Sequence, residues 1–303
     1  MNTHLNRGFT VQKNPNEKIL NLLKQGVAEM GSRFNEDILE RTIALYEPHV
    51  EAAPSTLAVE HDLAFGSHPR NVLDFYPCQR PSPILLYVHG GGFVGGGKNI
   101  NAKFYSNLGK YFTDRGFATA LMNYRLAPEF AWPQAALDIE KAVGWLKVNR
   151  AQNQRIYIIG QSAGACHLAT YLTGEDFHEH AATHIAGAVL MSGFYDARGS
   201  MSPGARSYFG ENPLQCEERS PILATPRIKT PVLLTVAQYD PAGMALQTLA
   251  LASQLTHTQQ TSPPLIWLKG HNHVSTVLSI GSPQDDVGEL LIQFMNDIEN
   301  QQL

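Results

Sequence analysis

A serine becomes a useful nucleophile only when the backbone exposes its hydroxyl and a neighbouring base can take its proton. Gly160-Gln161-Ser162-Ala163-Gly164 has the composition for that exposure, because it follows an apolar run at 155–159 and opens a helical pattern. A strand-to-helix turn this sharp puts the serine in a strained conformation, and glycines two residues to either side avoid the collisions a side chain would make there. The base and its orienting carboxylate must come from later strand ends. Asp240, in Gln238-Tyr239-Asp240-Pro241, follows the run at 232–237. His271 and His273, in Gly270-His271-Asn272-His273-Val274-Ser275, follow the run at 265–268. His89-Gly90-Gly91-Gly92-Phe93 follows the run at 84–88, and its consecutive glycines present bare N–H groups where charge develops on a carbonyl oxygen. Together these residues describe acyl transfer through a covalent serine intermediate.

Other readings of the same residues fail on their neighbours. Gly90, Gly92 and Gly95 satisfy G-x-G-x-x-G, but the helix pattern starts well after the last glycine pair and no strand-end acid stands about 20 residues on. Gly92 and Gly97-Lys98 resemble the start of a phosphate loop, yet Asn99 occupies the place of the Mg²⁺-binding Ser or Thr. His178, Glu179, His180 and His184 fall in a polar connection and read as solvated loop, so no metal site is expected. Cys166, four residues after Ser162, reads as a small core hydrophobe.

The elements that must hold these residues alternate short apolar runs with longer helical patterns, the signature of a sheet built from strand–helix–strand units. Strands are predicted at 57–65, 72–76, 84–88, 118–122, 156–159, 186–191, 232–237 and 265–268, with helices at 101–115, 132–149, 163–173, 244–255 and 284–298. The last four strands read as continuous apolar runs, as doubly covered strands do. Residues 1–56 carry apolar residues at helical spacing and are expected to form a helical cap on a catalytic domain spanning 57–303. An irregular insertion at about 194–230 completes a lid. Phe93, Tyr124, Phe194 and Tyr195 fall at strand ends or in that insertion and are expected to contact substrate.

Composition bounds the partners. The 303 residues are 43% hydrophobic and 17% charged, with net charge −4 and no basic block, which excludes disorder and gives no support to nucleic-acid binding. The opening residues lack an apolar targeting core and no run is long enough to span a membrane, so a cytoplasmic protein is expected. Three scattered cysteines fit a reducing compartment.

The chain resembles the hormone-sensitive-lipase-like esterases of the α/β-hydrolase fold. His89–Phe93 looks like that group's HGGGF-type loop, Tyr124-Arg125-Leu126-Ala127-Pro128-Glu129 like its YRLAPE segment, and Asp240-Pro241 like its aspartate-proline turn. The resemblance covers about residues 57 to 300 and implies a mostly parallel eight-stranded sheet with helices on both faces. It also implies oxyanion donors at the N–H groups of Gly91, Gly92 and Ala163. Two departures stand out: Gln161 replaces the acid common before the serine, and the histidine loop holds two histidines. Both features resemble kynurenine formamidases and related carboxylesterases, an alignment that makes His273 the base and His271 a supporting residue. The implied activity is hydrolysis of a short acyl ester by Ser162, His273 and Asp240 without cofactor. The alternatives are cleavage of an N-formyl amide such as N-formylkynurenine, acyl transfer to another acceptor, and a non-catalytic ligand-binding homologue. A homodimer is compatible with the resemblance.

Overall fold

The computed structural model describes residues 15–54, 56–151, 153–174 and 185–300. In chain order the elements are α1 (Pro15–Met30), α2 (Glu36–Tyr46), β1 (Glu60–Ala64), β2 (Val72–Tyr76), β3 (Ile84–Val88), α3 (Ser106–Asp114), β4 (Ala118–Met122), α4 (Gln134–Leu146), β5 (Ile156–Gln161), α5 (Ala163–Thr173), β6 (Ile185–Met191), α6 (Pro203–Phe209), α7 (Pro213–Glu218), β7 (Val232–Tyr239), α8 (Ala242–Gln259), β8 (Leu265–Asn272), α9 (Ser275–Leu278) and α10 (Val287–Glu299). The strands form one sheet in the order β1-β2-β4-β3-β5-β6-β7-β8, antiparallel at β1–β2–β4 and parallel from β4 to β8.

Strand side chains alternate between the two faces, and the composition of the strands supplies an apolar residue for each. Leu86, Val88, Ala120, Met122, Ile158 and Leu190 enter one core with Ala135, Ile139, Leu168 and Leu251 from α4, α5 and α8. Leu85, Tyr87, Leu121, Tyr157, Ile159 and Val189 enter the other with Leu23, Val27, Leu108, Tyr111, Leu291 and Met295 from α1, α3 and α10. Every residue of β3, β4 and β5 is buried, which is why those segments read as unbroken apolar runs. The strand order reverses at β3, which has β4 on one side and β5 on the other. The crevice beyond the carboxyl ends of β3 and β5 is where open α/β sheets bind ligands.

Three expectations are corrected. β8 is not doubly covered: it is the edge strand, and Leu265 and Trp267 are 40% and 55% exposed. The insertion is not irregular, since it holds α6, α7 and a 3₁₀ helix at Pro221–Arg227; Ser202 and Asn212 cap α6 and α7 with their side-chain oxygens, a short-range signal that the abundance of Ser, Pro and Gly obscured. The helix expected from 101 begins at Ser106. At the N-terminus α1 and α2 form, with Asn35 capping α2 by accepting from the Ile38 N–H. The opening residues 1–14 lie outside the described residues. Among those described, no helix is long and apolar enough to cross a membrane.

Candidate active site

β5 delivers Ser162 at its carboxyl end, where the backbone turns at φ 55° and ψ −119° before α5 begins. That turn is possible only because its flanks are glycine. A Cβ on Gly160 would stand 2.6 Å from the Gly164 carbonyl oxygen, and one on Gly164 would stand 2.2 Å from that of Val88. The absence of side chains thus lets α5 start directly against β3. Ser162 is anchored by its own N–H, which donates to the Met191 carbonyl at 2.8 Å. Ala163 stands in the first turn of α5, where the N–H has no intrahelical acceptor and the helix dipole is positive.

The other two elements converge on this hydroxyl. His273 follows β8 in a turn shaped by Asn272, whose side-chain oxygen accepts from the N–H groups of Val274 and Ser275. The imidazole Nε2 is 2.8 Å from Ser162 Oγ and Nδ1 is 2.8 Å from Asp240 Oδ1. Asp240 Oδ2 accepts from Ser192 Oγ and from the Ala237 N–H, both at 2.7 Å. All three residues are buried. With the carboxylate accepting at both oxygens, the neutral imidazole carries its proton on Nδ1 and presents a bare Nε2 to the serine. His271 turns elsewhere: its Nε2 contacts Asp286 Oδ1 at 2.7 Å and its Nδ1 faces Ser275 Oγ at 3.2 Å.

The glycine loop after β3 lies beside Ser162. Gly91 and Gly92 adopt φ 143° and 59°, and a Cβ on Gly91 would sit 2.1 Å from the Gly95 carbonyl oxygen. His89 supports the loop from beneath. Its Nδ1–H donates to the Gly90 carbonyl at 2.6 Å, and burial pushes its pKa down to about 3, so the ring stays neutral. Tyr124 stacks on His89 and donates to its carbonyl at 2.9 Å. Arg125 grips Asp138 of α4 through both carboxylate oxygens.

Ser162, His273, Gly91 and Gly92 open on a cavity of about 800 Å³ whose walls also include Phe34, Glu36 and Leu39 of the α1–α2 region, Val94, Ile100, Tyr105 and Gln161. Phe34 meets His273 edge-on at 4.7 Å between ring centroids. Phe34, Val94 and Ile100 are large apolar side chains left 38 to 48% exposed at this one mouth.

The four aromatics expected to contact substrate do not line this cavity. Phe93 packs against His167, Phe194, Tyr208 and Phe209, while Tyr124 and Tyr195 are fully buried. They fill the space under the glycine loop, so aromatic residues at strand ends serve as core here. Nor does the 194–230 insertion supply a wall among the described residues; the wall comes from the N-terminal helices. Sequence reasoning missed Ser192, whose position one residue beyond β6 was an available signal, and Phe34, which read as one more apolar helix position. His178, Glu179, His180 and His184 lie outside the described residues.

Comparison with known proteins agrees with this architecture. The family model BD-FAE matches residues 73–189. Esterase LipC of Mycobacterium tuberculosis is 23% identical over 262 residues, covering 77% of this chain and 64% of that protein. The kynurenine formamidase of Salmo salar is 22% identical over 274 residues, covering 86% of this chain and 90% of that protein. The chain spans 64%, 48% and 33% of the length of three curated relatives. Among solved structures, esterase B from Lactobacillus rhamnosis superposes with a TM-score of 0.71 at 17% identity over 95% of this chain and 97% of that one. The fold is that of the α/β-hydrolases. Esterases recur among the proteins this chain resembles.

Proposed function

We propose that the protein is a serine hydrolase that cleaves short-chain carboxylic esters through an acyl-enzyme intermediate. The observation that carries this reading is the pair of 2.8 Å contacts linking Ser162 to His273 and His273 to Asp240 at the floor of an apolar cavity. Ser162 Oγ attacks the ester carbonyl as His273 Nε2 takes its proton, and Asp240 holds the imidazolium that forms. The N–H groups of Gly91, Gly92 and Ala163 stabilise the oxyanion. As the tetrahedral intermediate collapses, the imidazolium returns the proton to the departing alkoxide. Water, deprotonated by the same nitrogen, then attacks the acyl-serine and frees the acid.

A second reading, hydrolysis of an N-formyl amide, is favoured by the similarity to a kynurenine formamidase along 90% of that protein's length. The cavity weighs against it. N-formylkynurenine carries an α-carboxylate, whereas among the described residues no Lys or Arg lines this cavity and Glu36 does. An amino-acid carboxylate would be desolvated there without a partner. On the ester reading, α1 and α2 act as a cap and the substrate is a neutral small molecule.

The test is kcat/KM for p-nitrophenyl esters from acetate to octanoate beside N-formylkynurenine, with Ser162→Ala as the blank. The expected result is ester turnover peaking at short acyl chains and lost in S162A by about 10⁴-fold or more. Formamide cleavage exceeding that of every ester overturns the ester reading, and near-normal turnover by S162A overturns the mechanism.

A further inference from the structure

The residue before the nucleophile has work to do beyond shaping the elbow. Gln161 closes β5, is 5% exposed, and sends its Nε2 to the carbonyl oxygen of His273 at 3.0 Å. Thr276 Oγ1 donates to the same carbonyl at 3.1 Å, so two donors from different elements fix the peptide that carries the base. On its other side the Gln161 amide lies against the glycine loop. A Cβ on Gly90 would be 2.3 Å from Gln161 Oε1, so glycine at position 90 leaves the room in which this side chain lies. One amide thus touches both the loop beside the nucleophile and the turn that holds the base.

We propose that Gln161 is a positioning residue whose neutral amide tethers the His273 turn to the nucleophile elbow. The inference rests on the esterase reading of the same site. Its chemistry depends on the residue type. The atom facing Gln161 Nε2 in this chain is the His273 carbonyl oxygen, which a donor satisfies, and an uncharged amide beside Gly90 adds no negative charge to the one that develops at Gly91 and Gly92. A carboxylate in this position accepts hydrogen bonds and donates none. It would face the His273 carbonyl oxygen with repulsion and set a second negative charge beside the oxyanion. Because His273 serves both acylation and deacylation, a displaced base slows both steps together and leaves KM little changed.

The experiment uses Gln161→Leu, which keeps the bulk and removes the donor, and Gln161→Glu, which keeps the shape and reverses the polarity. Turnover of p-nitrophenyl acetate is measured per competent site, counted by the p-nitrophenol burst, so that unfolded protein drops out of the rate. The expected result for Q161L is a kcat about tenfold lower, the equivalent of one lost hydrogen bond, with KM within about twofold. For Q161E the loss is larger, about a hundredfold, since a repulsion and a charge are added to the lost bond. A per-site kcat within twofold of wild type in both variants overturns the proposal. So does a rise in KM at constant kcat, which would make Gln161 a substrate contact only. Wild-type turnover that survives in S162A is a different failure, that of the esterase reading, and the same plate reports it.

Discussion

The carboxylate beside His273 offers the sharpest test of the chemistry, because its three donors leave a replacement no freedom. In Asp240→Asn one side-chain atom changes from acceptor to donor. Asp240 Oδ2 accepts from the Ala237 N–H at 2.7 Å, a backbone donor that cannot rotate away, and from Ser192 Oγ at 2.7 Å. The amide oxygen of the variant must therefore take that place, and its NH₂ group must face His273 Nδ1 across 2.8 Å. Nδ1 then becomes an acceptor, the ring proton moves to Nε2, and Nε2 can no longer accept from Ser162. Turning the amide round restores the tautomer but sets NH₂ against the Ala237 N–H, leaving a buried donor unsatisfied at about 1–3 kcal/mol. In either arrangement the imidazolium loses its counter-charge, worth several kcal/mol more in a buried site. The sum is about 4–5 kcal/mol, or 10³–10⁴ in kcat/KM at 1.36 kcal/mol per decade. The assay is p-nitrophenyl acetate hydrolysis, with thermal unfolding to show that the isosteric variant folds. Ser192→Ala is the control, since it leaves the Ala237 bond in place and should cost less than tenfold. Retention of kcat/KM within tenfold by D240N would refute the reasoning.

Two further outcomes follow from buried groups elsewhere. Burial lowers both His89 and His167 to about 3, with Arg70 adding to the shift at His89 and His89 adding to that at His167, whereas both titrate near 6.5 when unfolded. The unfolded chain therefore takes up protons first as pH falls. Stability should drop between about pH 6.5 and 3, by up to about 1.4 kcal/mol per pH unit for each histidine. His167→Phe should flatten that slope by one proton's share, and should itself be tolerated, because both His167 ring nitrogens are buried without partners among the described residues. Urea unfolding from pH 4 to 7 measures it, and identical slopes would count against the assignment. A second pair of variants tests packing. Gly164→Ala drives a Cβ into two backbone carbonyls at 2.2 and 2.5 Å and should destabilise by more than the usual 1–3 kcal/mol of overpacking, visible as lost soluble protein or a lowered Tm. Gly144→Ala, within α4 with no atom inside 4 Å, should stabilise by about 1 kcal/mol and raise Tm by about 2 °C.

Ser162, Asp240 and His273 were legible as candidates because each stands at the carboxyl end of a strand, where turn chemistry is local and glycine, proline or asparagine announces it. α5 was legible to the residue because the elbow fixes its start at Ala163. What failed was anything decided by a distant partner. Whether β8 is covered on one face or two depends on its place at the sheet edge, which Leu265 and Trp267 cannot report from their own neighbours. Whether an aromatic fills a core or lines a cavity depends on what else reaches the space. Phe93 and Tyr124 meet His167 and His89, so they were spent on packing, while Phe34, 128 residues before Ser162 in the chain, reached the mouth. His271, near the end of β8, and His273, just beyond it, both find an acid, so the apolar run before them does not tell them apart; the resemblance of the histidine loop pointed to His273, and it is His273 that contacts Ser162 and Asp240.

The N-terminal helices do more than wall the cavity, because polar bonds join them to the turn that carries His273. Asn272 Nδ2 donates to Thr42 Oγ1 at 3.1 Å, and Thr42 in turn donates to the Ile38 carbonyl within α2. Tyr46 donates to Gln284 Oε1 at 2.7 Å, and Gln284 Nε2 reaches the Gly270 carbonyl at 3.2 Å, three residues before His273. Asn272 is also the residue whose side-chain oxygen shapes that turn. A shift of α2 would therefore move Asn272 and the His273 peptide with it, and Phe34 would move against the imidazole at the same time. Gln161 and Thr276 hold that peptide from the opposite side. His273 is thus clamped between the elbow and α2. Pocket shape and imidazole orientation are mechanically linked, so substitutions at the α1–α2 wall made to admit a longer acyl chain should change turnover as well as binding.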